Sequence, residues 1–427
     1  MKQRAIPGHR WKDASWAFLR EGYFFIRTRC ERYDSPLFQT RLLGRRTLCL
    51  SGLQAAELFY DAQRFIRTPT STPAPLRNIL LGTGGVQSLD GQPHARRKQL
   101  FLDVLNREQT QRLVNLYEAR WRNAVRDVPP RGAVEFLPWA EALLCRSVCE
   151  WAGIPAMNER QMHRFTRRLA SLIDGSGRMD WRMPAALLRR KACEAQAARW
   201  IKDCRQGRHG SSQDSPLQVV AHHRDEHGEL LPPRIAAVEL LNILRPTVAV
   251  GRFLLFGLIE LERRPGWRAR IADSDDAAWA FAEEVRRVYA FFPMIAAFVR
   301  EDFDWQGYRF EKGTRVLLDL FGTNRDPAHW KDPPSFDPAR FGRCPMSTAV
   351  ISQGGGEYSY HRCPGEPLTL MLMQTTFIRL CRDMNWRANI EEVDFKRLPM
   401  LPRAAVMMSN IMPKAGPGDG RKQQAGA

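Results

Sequence analysis

The sequence lacks several features that would assign it to common classes of protein. Its 427 residues contain no run of about eighteen apolar side chains, so no segment is predicted to span a bilayer. Residues 1–8 lack the apolar core of a signal peptide. We find no internal repeat and no linker between two domains. We therefore expect a cytoplasmic protein with a single domain over residues 1–413 and a disordered tail, 414–427.

Cysteine is scarce and unpatterned. The nine cysteines form no paired framework of the kind seen in secreted disulfide proteins. Cys145 and Cys149 lie four apart on a predicted helix, a spacing compatible with metal binding, but no second pair completes a site. Buried free thiols in a reducing compartment are the favoured interpretation.

Acidic residues are few beside basic ones, 46 against 65, which gives a net charge of +19. The lysines and arginines are dispersed, with no basic tail and no nucleic-acid-binding motif, so we expect no nucleic-acid partner. A basic surface could also attract an acidic redox protein, an anionic membrane face or an anionic substrate. Dispersed, solvated charge is the simplest interpretation.

Periodicity outlines the elements along the chain. Residues 22–50 alternate as strands do, with a hairpin turn at Gly44-Arg45, and residues 52–60 favour a helix. Residues 68–92 are predicted to be a long loop, and residues 93 to about 290 almost all helical. Helix breaks are predicted at Pro129-Pro130, at residues 175–177 and at residues 207–216. Strands are then predicted at 305–321, an irregular meander at 322–349 and a β-like segment at 400–412.

One cysteine stands in an unusual setting. The segment Gln353-Gly-Gly-Gly-Glu-Tyr-Ser-Tyr-His-Arg-Cys-Pro-Gly-Glu366 brings Cys363 to the start of an apolar helix. Glycines permit close approach to a flat ligand, and Pro364 favours the first helical turn. A sulfur at a helix N-terminus beside Arg362 is expected to be biased toward thiolate, the fifth ligand that an iron porphyrin needs.

This segment resembles the cysteine-ligand loop of the cytochrome P-450 haem enzymes, in the form typical of their bacterial fatty-acid peroxygenase branch. In one respect it differs: Tyr360 stands where that branch has a glycine, and the loop is one residue shorter. The resemblance covers residues 6 to 412 and implies a mostly α fold with a small β lobe, the cytochrome P-450 haem-domain fold. It implies haem b as cofactor, Cys363 as the metal ligand, and a cofactor site that includes Gly355, His361, Arg362 and Gly365.

Two further motifs support the resemblance. Glu284 and Arg287 lie three apart on one helix face, and Arg340 follows in Phe336–Phe341. The resemblance implies that these three join in a buried structural network, with Glu283–Arg286 as an alternative pair.

His94 and Lys98 lie four apart and can donate to one anion. In the resembled family this helix holds the haem propionates, whereas a generic basic helix face is the alternative.

Arg245-Pro246 stands inside the long apolar helix predicted at about 233–263. Pro246 removes the bond to the carbonyl of Asn242, at about 3 kcal/mol, and a buried arginine needs an anion. In the simpler interpretation Arg245 faces solvent, as does Arg252, which follows seven residues later on the same helix face. The resemblance implies instead that Arg245 binds a fatty-acid carboxylate, and that this carboxylate is the acid–base group for cleaving hydrogen peroxide. The α and β carbons are then within reach, and no redox partner is required.

The predicted substrate channel completes the hypothesis. Gln87 matches a position that is often glutamine in hydroxylating members and histidine in alkene-forming ones, which favours hydroxylation. Acyl-channel residues are predicted to be Leu80, Leu81, Phe291 and Phe292. The hypothesis is thus a peroxide-dependent hydroxylase of long-chain fatty acids. Alternatives are a redox-partner-dependent monooxygenase of another anionic substrate, a decarboxylase forming terminal alkenes, and a haem-based lipid sensor or carrier without turnover.

Overall fold

A computed structural model describes residues 3–129, 132–175, 183–208, 210, 212–342 and 349–414. The predicted disordered tail, apart from Lys414, lies outside these ranges, as do Cys344 and parts of the predicted helix breaks and meander. The eight described cysteines are all free, and Cys145 and Cys149 are buried. No group of histidine, cysteine and acidic side chains suited to a metal ion occurs within the described ranges.

Helices make up most of the described chain. They are α1 Ser15–Glu21, α2 Phe25–Tyr33, α3 Leu53–Phe59, α4 Ala74–Leu80, α5 Gly91–Val104, α6 Arg107–Arg126, α7 Phe136–Trp151, α8 Glu159–Asp174, α9 Met183–Arg205, α10 Pro216–His222, α11 Pro233–Ala249, α12 Gly251–Arg263, α13 Gly266–Asp273, α14 Asp275–Val288, α15 Leu320–Thr323, α16 Ala339–Gly342 and α17 Glu366–Arg382. The predicted fold class, mostly α with a small β lobe, is confirmed.

Strands form one larger sheet and three small ones. They are β1 Gly8–Asp13, β2 Leu37–Leu42, β3 Arg45–Leu50, β4 Phe65–Ile66, β5 Val134–Glu135, β6 Met294–Val299, β7 Phe303–Trp305, β8 Tyr308–Phe310, β9 Arg315–Asp319, β10 Met384–Ala388, β11 Val393–Asp394, β12 Leu401–Pro402 and β13 Met407–Pro413. The six-stranded sheet has the order β1-β2-β3-β9-β6-β4. In a three-stranded sheet, β13 lies between β10 and β5.

The strand prediction for residues 22–50 is correct in its second half and wrong in its first. Strands β2 and β3 pair in antiparallel register, with Leu43 and Gly44 at positive φ in the turn between them. Residues 22–33 form a 3₁₀ turn and helix α2 instead. Phe25, Ile26 and Cys30 are buried there, on one helical face rather than on alternate sides of a strand.

Three other boundaries differ from prediction. The predicted loop 68–92 contains α4 and a 3₁₀ turn over Val86–Ser88, and α5 begins two residues before Pro93. Strands β6 and β10 were not predicted from the sequence. Strand β10 begins two residues after α17 ends, so sequence periodicity marks it poorly, whereas Pro293 directly before β6 was a usable turn signal.

The central helix pair, α11 and α12, positions the candidate site. The helix continues through Pro246 and is interrupted only at Val250, whose N–H bonds the carbonyl of Thr247 at 3.2 Å. By length and composition Pro233–Arg263 could cross a membrane. The search for unbroken apolar runs in the sequence had not detected this segment. However, 94% of its most apolar window is buried inside the fold, as in a core helix.

Candidate active site

Cys363 lies in the turn that precedes α17. Gly365 is the N-cap residue of that helix, and Pro367 occupies its first turn. The Gln353 side-chain amide approaches the Cys363 sulfur at 4.0 Å and donates to Thr369 Oγ1 at 3.0 Å. The thiol is thus held between the helix N-terminus and a fixed amide donor.

The expected bias of Cys363 toward thiolate is not found in the protein alone. Burial raises the pKa of the Cys363 thiol, outweighing the backbone N–H of Gly365 and the positive charges of Lys98 and Arg286. Arg362, expected to assist, turns its guanidinium to Glu366 at 2.6 Å. A metal ion bound at this sulfur would ionise the thiol outright.

The three residues of the predicted structural network meet in the fold. Arg287 donates twice to the Glu284 carboxylate, both times at 2.7 Å, and both side chains are fully buried. Arg340 donates to the same carboxylate at 3.2 Å, and so does the backbone N–H of Asp337 at 2.7 Å. This network ties α14 to the chain around α16.

The alternative pair, Glu283 and Arg286, forms a second network instead of replacing the first. Arg286 donates to Glu283 at 2.6 Å, to Gln353 at 3.0 Å and to Glu366 of α17. Glu366 also accepts from Arg362 and from the hydroxyl of Tyr358. Both pairs that the sequence offered are therefore used, one behind the meander and one directly behind the cysteine loop.

Four basic residues gather on the other side of this loop, and we call them the basic cluster: Arg67, His94, Lys98 and His361. The ring centroids of His94 and His361 are 4.3 Å apart, and His94 Nδ1 and His361 Nε2 are buried with no hydrogen-bond partner in the described part of the chain. Lys98 donates to the backbone carbonyl of Arg362. Arg67 lies over the ring of Tyr60, 5.7 Å from its centroid.

The charges of the basic cluster oppose one another. Burial and the positive charge of Lys98 lower the pKa of His94 to about 4, and burial lowers that of Lys98 to about 8. Burial lowers the pKa of His361 as well, followed by the effect of Arg67. Buried donors that repel one another require an anion. The cluster fits the two carboxylates of a haem placed against Cys363.

Tyr360 has a clear structural role in place of the expected glycine. Its hydroxyl donates to Asp90 Oδ1 at 2.9 Å, and its ring contacts His361 with centroids 4.0 Å apart. Asp90 also accepts from Arg300 at 2.5 Å. The shortened loop is therefore fastened to the N-terminus of α5.

The two predicted glycines differ in their surroundings. A Cβ on Gly355 would stand 2.8 Å from Tyr60 Cε2, so this glycine is needed for protein packing. A Cβ on Gly365 would stand 3.8 Å from the Cys363 sulfur, an ordinary contact. Gly365 thus leaves open space beside the sulfur without being required by any clash.

Arg245 is buried, and its guanidinium makes no hydrogen bond or ion pair with any described residue. Burial lowers its pKa to about 9, assisted by the positive charge of Arg190 and opposed by Cys363. The simpler interpretation, in which Arg245 faces solvent, is wrong. A buried guanidinium within the electrostatic reach of Cys363 is a ready binding site for a carboxylate.

Gln87 reaches the central helix one turn before Arg245. Its side-chain oxygen accepts from Asn242 at 3.4 Å, and Asn242 donates to Glu239 at 3.1 Å. Glu239 also accepts from Arg97 at 2.7 Å and from the backbone N–H of Val86 at 2.9 Å. The segment that carries Gln87 is thereby fixed to α11 and α5.

The predicted channel residues fall into two pairs. Leu80 and Leu81 end α4, where Arg190 of α9 donates to both of their carbonyls. Phe291 and Phe292 follow α14, with ring centroids 4.6 Å apart, and both are half-buried. Each pair therefore offers apolar surface from an element that adjoins the central helix.

Comparisons with known proteins identify the family. The family model "Cytochrome P450" (cytochrome P-450) matches residues 279–409. Solved cytochrome P-450SP alpha with (R)-ibuprophen is 39% identical, with a TM-score of 0.90 over 94% of this chain and 99% of that one. The chain belongs to the cytochrome P-450 family.

Two further solved structures place this cytochrome P-450 in the expected branch. Cytochrome P-450EX alpha with myristic acid is 35% identical, with a TM-score of 0.91 over 96% of this chain and 100% of that one. A variant of cytochrome P-450 OleT with arachidonic acid is 27% identical, with a TM-score of 0.93 over 97% and 100%. The predicted haem-thiolate enzyme class, haem b cofactor and P-450 fold are confirmed.

Sequence reasoning missed several polar residues of this site: Arg67, Asp90, Arg97, Glu239, Asn242, Gln353 and Glu366. Glu239 carried a usable signal, because a carboxylate within the apolar run Val238–Leu241 needs a buried cation. Arg67 and Arg97 carried none, since their partners are far away in the sequence.

Proposed function

We propose that this cytochrome P-450 hydroxylates long-chain fatty acids at the α or β carbon, with hydrogen peroxide as oxidant. The observation that carries the proposal is the buried guanidinium of Arg245, which bonds no residue that the structure describes. Haem b, bound through Cys363 and held by the basic cluster, supplies the oxidising iron centre. The likeness to solved cytochromes P-450 in complex with myristic and arachidonic acid supports a fatty acid as the ligand.

Arg245 binds and orients the substrate. Its planar guanidinium can donate two parallel N–H bonds to a carboxylate, and the absence of any hydrogen bond to a described residue leaves its donors free to do so. Holding the acid end fixes which carbons lie next to the oxidant. Those nearest the carboxylate are the α and β carbons, which gives the expected regiochemistry.

The bound carboxylate also moves the proton. Asn242 and Gln87 are amides, and Glu239 is engaged by Arg97, so none of these side chains is a free acid or base beside Arg245. A substrate carboxylate on Arg245 can take up and return a proton of hydrogen peroxide. No electron-transfer protein is then needed, because peroxide carries both oxidising equivalents.

Gln87 favours hydroxylation over formation of terminal alkenes. Its carbonyl oxygen is engaged by Asn242 at 3.4 Å, and an amide has no titratable proton to give. Leu80, Leu81, Phe291 and Phe292 exclude water along the acyl chain in this proposal.

The test uses purified holoenzyme, hexadecanoic acid and hydrogen peroxide, without reductant or redox protein. We expect 2- and 3-hydroxyhexadecanoic acids, detected by mass spectrometry after gas chromatography. Arg245→Ala should abolish them while the ferrous–CO spectrum of a thiolate-ligated haem persists, and Arg245→Lys should restore only a minor part. Products that arise only with a reductant and a redox partner would overturn the proposal, and so would near-normal turnover by Arg245→Ala.

A further inference from the structure

A second buried arginine lies on the same helical face as Arg245. Arg252 is seven residues further along, which places it about two turns away and about 10 Å along the axis. The backbone of Val250, between α11 and α12, is right-handed helical, so the axis continues through the break. Ala249, one turn from Arg245 on this face, presents only a methyl group. This helical face therefore carries two positively charged side chains with only a methyl group between them.

The hydrogen bonds of Arg252 are incomplete. Its side chain is 1% exposed, and Nη2 donates to Asp174 Oδ1 of α8 at 2.8 Å. Nε and Nη1 are buried and have no acceptor within hydrogen-bond distance among the described residues. Buried donors without an acceptor are rare in folded proteins and costly. Three N–H bonds of Arg252, one on Nε and two on Nη1, therefore lack an acceptor in the described chain.

A second buried ionisable group, the carboxyl of Glu141, lies close to the start of α12. Glu141 of α7 approaches the start of α12, where a Cβ on Gly251 would stand 3.2 Å from Glu141 Cγ. Glu141 is 6% exposed, and no hydrogen bond joins its carboxylate to a described residue. Burial raises its pKa to about 7, although the charge of Arg252 acts in the opposite direction. A buried carboxyl group and a buried guanidinium therefore meet at the start of α12, and the charge of Arg252 acts on Glu141.

The location matches the far part of the proposed acyl channel. Phe253, next to Arg252, has its ring centroid 6.1 Å from that of Phe291. The hydroxyl of Tyr23 donates to the carbonyl of Phe291 at 2.8 Å, and the charge of Arg252 reaches Tyr23. Asp174 Oδ1 also lies 3.6 Å from Arg397 Nη2, and both of these side chains are partly exposed. The polar group is thus buried next to channel residues and opens toward solvent at Asp174.

We propose that Arg252 and Glu141 form a second substrate anchor, which binds a hydroxyl group on the alkyl chain roughly eight carbons from the carboxylate, the length that spans about 10 Å. This inference rests on the proposed function, because it takes Arg245 as the site of the carboxylate. A hydroxyl oxygen accepts from Arg252, and its proton is donated to Glu141. A second carboxylate is disfavoured by Asp174 and Glu141, and a bare methylene chain leaves the Arg252 donors unsatisfied.

The test compares ligands on the wild-type holoenzyme by calorimetry. The ligands are octanoic, decanoic and dodecanoic acids, their ω-hydroxy forms, and decanedioic acid. We expect at least one ω-hydroxy acid of about eight to ten carbons to bind about 10-fold more tightly than the unsubstituted acid of equal length, as one bond to a charged group allows. Equal or weaker binding of every ω-hydroxy acid would overturn the proposal, as would tightest binding of decanedioic acid.

Variants assign the effect to residues. In Arg252→Met the affinity ratio of hydroxy to plain acid should fall to about 1. Glu141→Met leaves the Arg252–Asp174 pair in place and should lower the ratio equally, so it serves as the test if Arg252→Met does not fold. A ratio retained in both would contradict the assignment. Arg245→Met distinguishes the two proposals, because it should weaken plain and hydroxy acids alike. Plain acids that bind Arg245→Met as well as wild type would instead contradict the proposed function.

Discussion

Buried arginines on the two sides of the cysteine loop differ in how many of their hydrogen bonds are made. Behind the loop, Arg286 and Arg287 are fully buried, and their hydrogen bonds run to carboxylates, a side-chain amide and backbone carbonyls. On the central helix, Arg245 is similarly buried with no hydrogen-bonded partner among the described residues, and Arg252 has one. Burial alone therefore does not reveal function. We attribute a structural role to the paired arginines, and our proposals assign the free donors of Arg245 and Arg252 to a ligand.

Arg287→Met should give the largest loss of stability. The variant leaves Glu284 buried with only Arg340 and one backbone N–H, and breaking a buried pair in this way costs about 3–5 kcal/mol. Denaturant unfolding followed by circular dichroism measures the change.

A matched control is Arg146→Met, which breaks a pair with Glu159 at the surface and should change stability little. Equal losses in the two variants would show that burial of the Glu284 network is not what stabilises the fold.

Arg245→Met should leave the free energy of unfolding unchanged or raise it, in contrast to Arg287→Met. Removing a desolvated charge that has no counter-charge should leave the ligand-free holoenzyme as stable as wild type, or more stable by about 1–4 kcal/mol. The same unfolding experiment measures it. A loss as large as that of Arg287→Met would mean that Arg245 has a structural partner after all, and the contrast between the two sides would disappear.

The parts of this account that the sequence predicted rest on local pattern. Cys363 and its glycines lie in one segment, and Arg245-Pro246 breaks an apolar helix, so each signal fits within a few residues. The basic cluster was predicted only in part, since His94 and Lys98 share one helix and His361 adjoins the cysteine. Arg67 joins them from a segment about 27 residues earlier, and no local rule predicts that approach.

The remaining errors have tertiary causes. Residues 22–33 carry apolar side chains that suit either a strand or a short helix, and packing against β2 and β3 decides for the helix. Both Glu–Arg pairs of α14 were available from spacing alone. Their different partners, Arg340 for one and Glu366 for the other, depend on how α16 and α17 pack against α14.

The most direct test of the central claim is the affinity of the holoenzyme for a fatty acid and for its uncharged methyl ester. We expect hexadecanoic acid to bind wild type at least about 30-fold more tightly than methyl hexadecanoate, because a buried charge pair contributes about 2–5 kcal/mol when one partner is removed. In Arg245→Met the two ligands should bind alike. Wild type that binds acid and ester equally well would contradict the account.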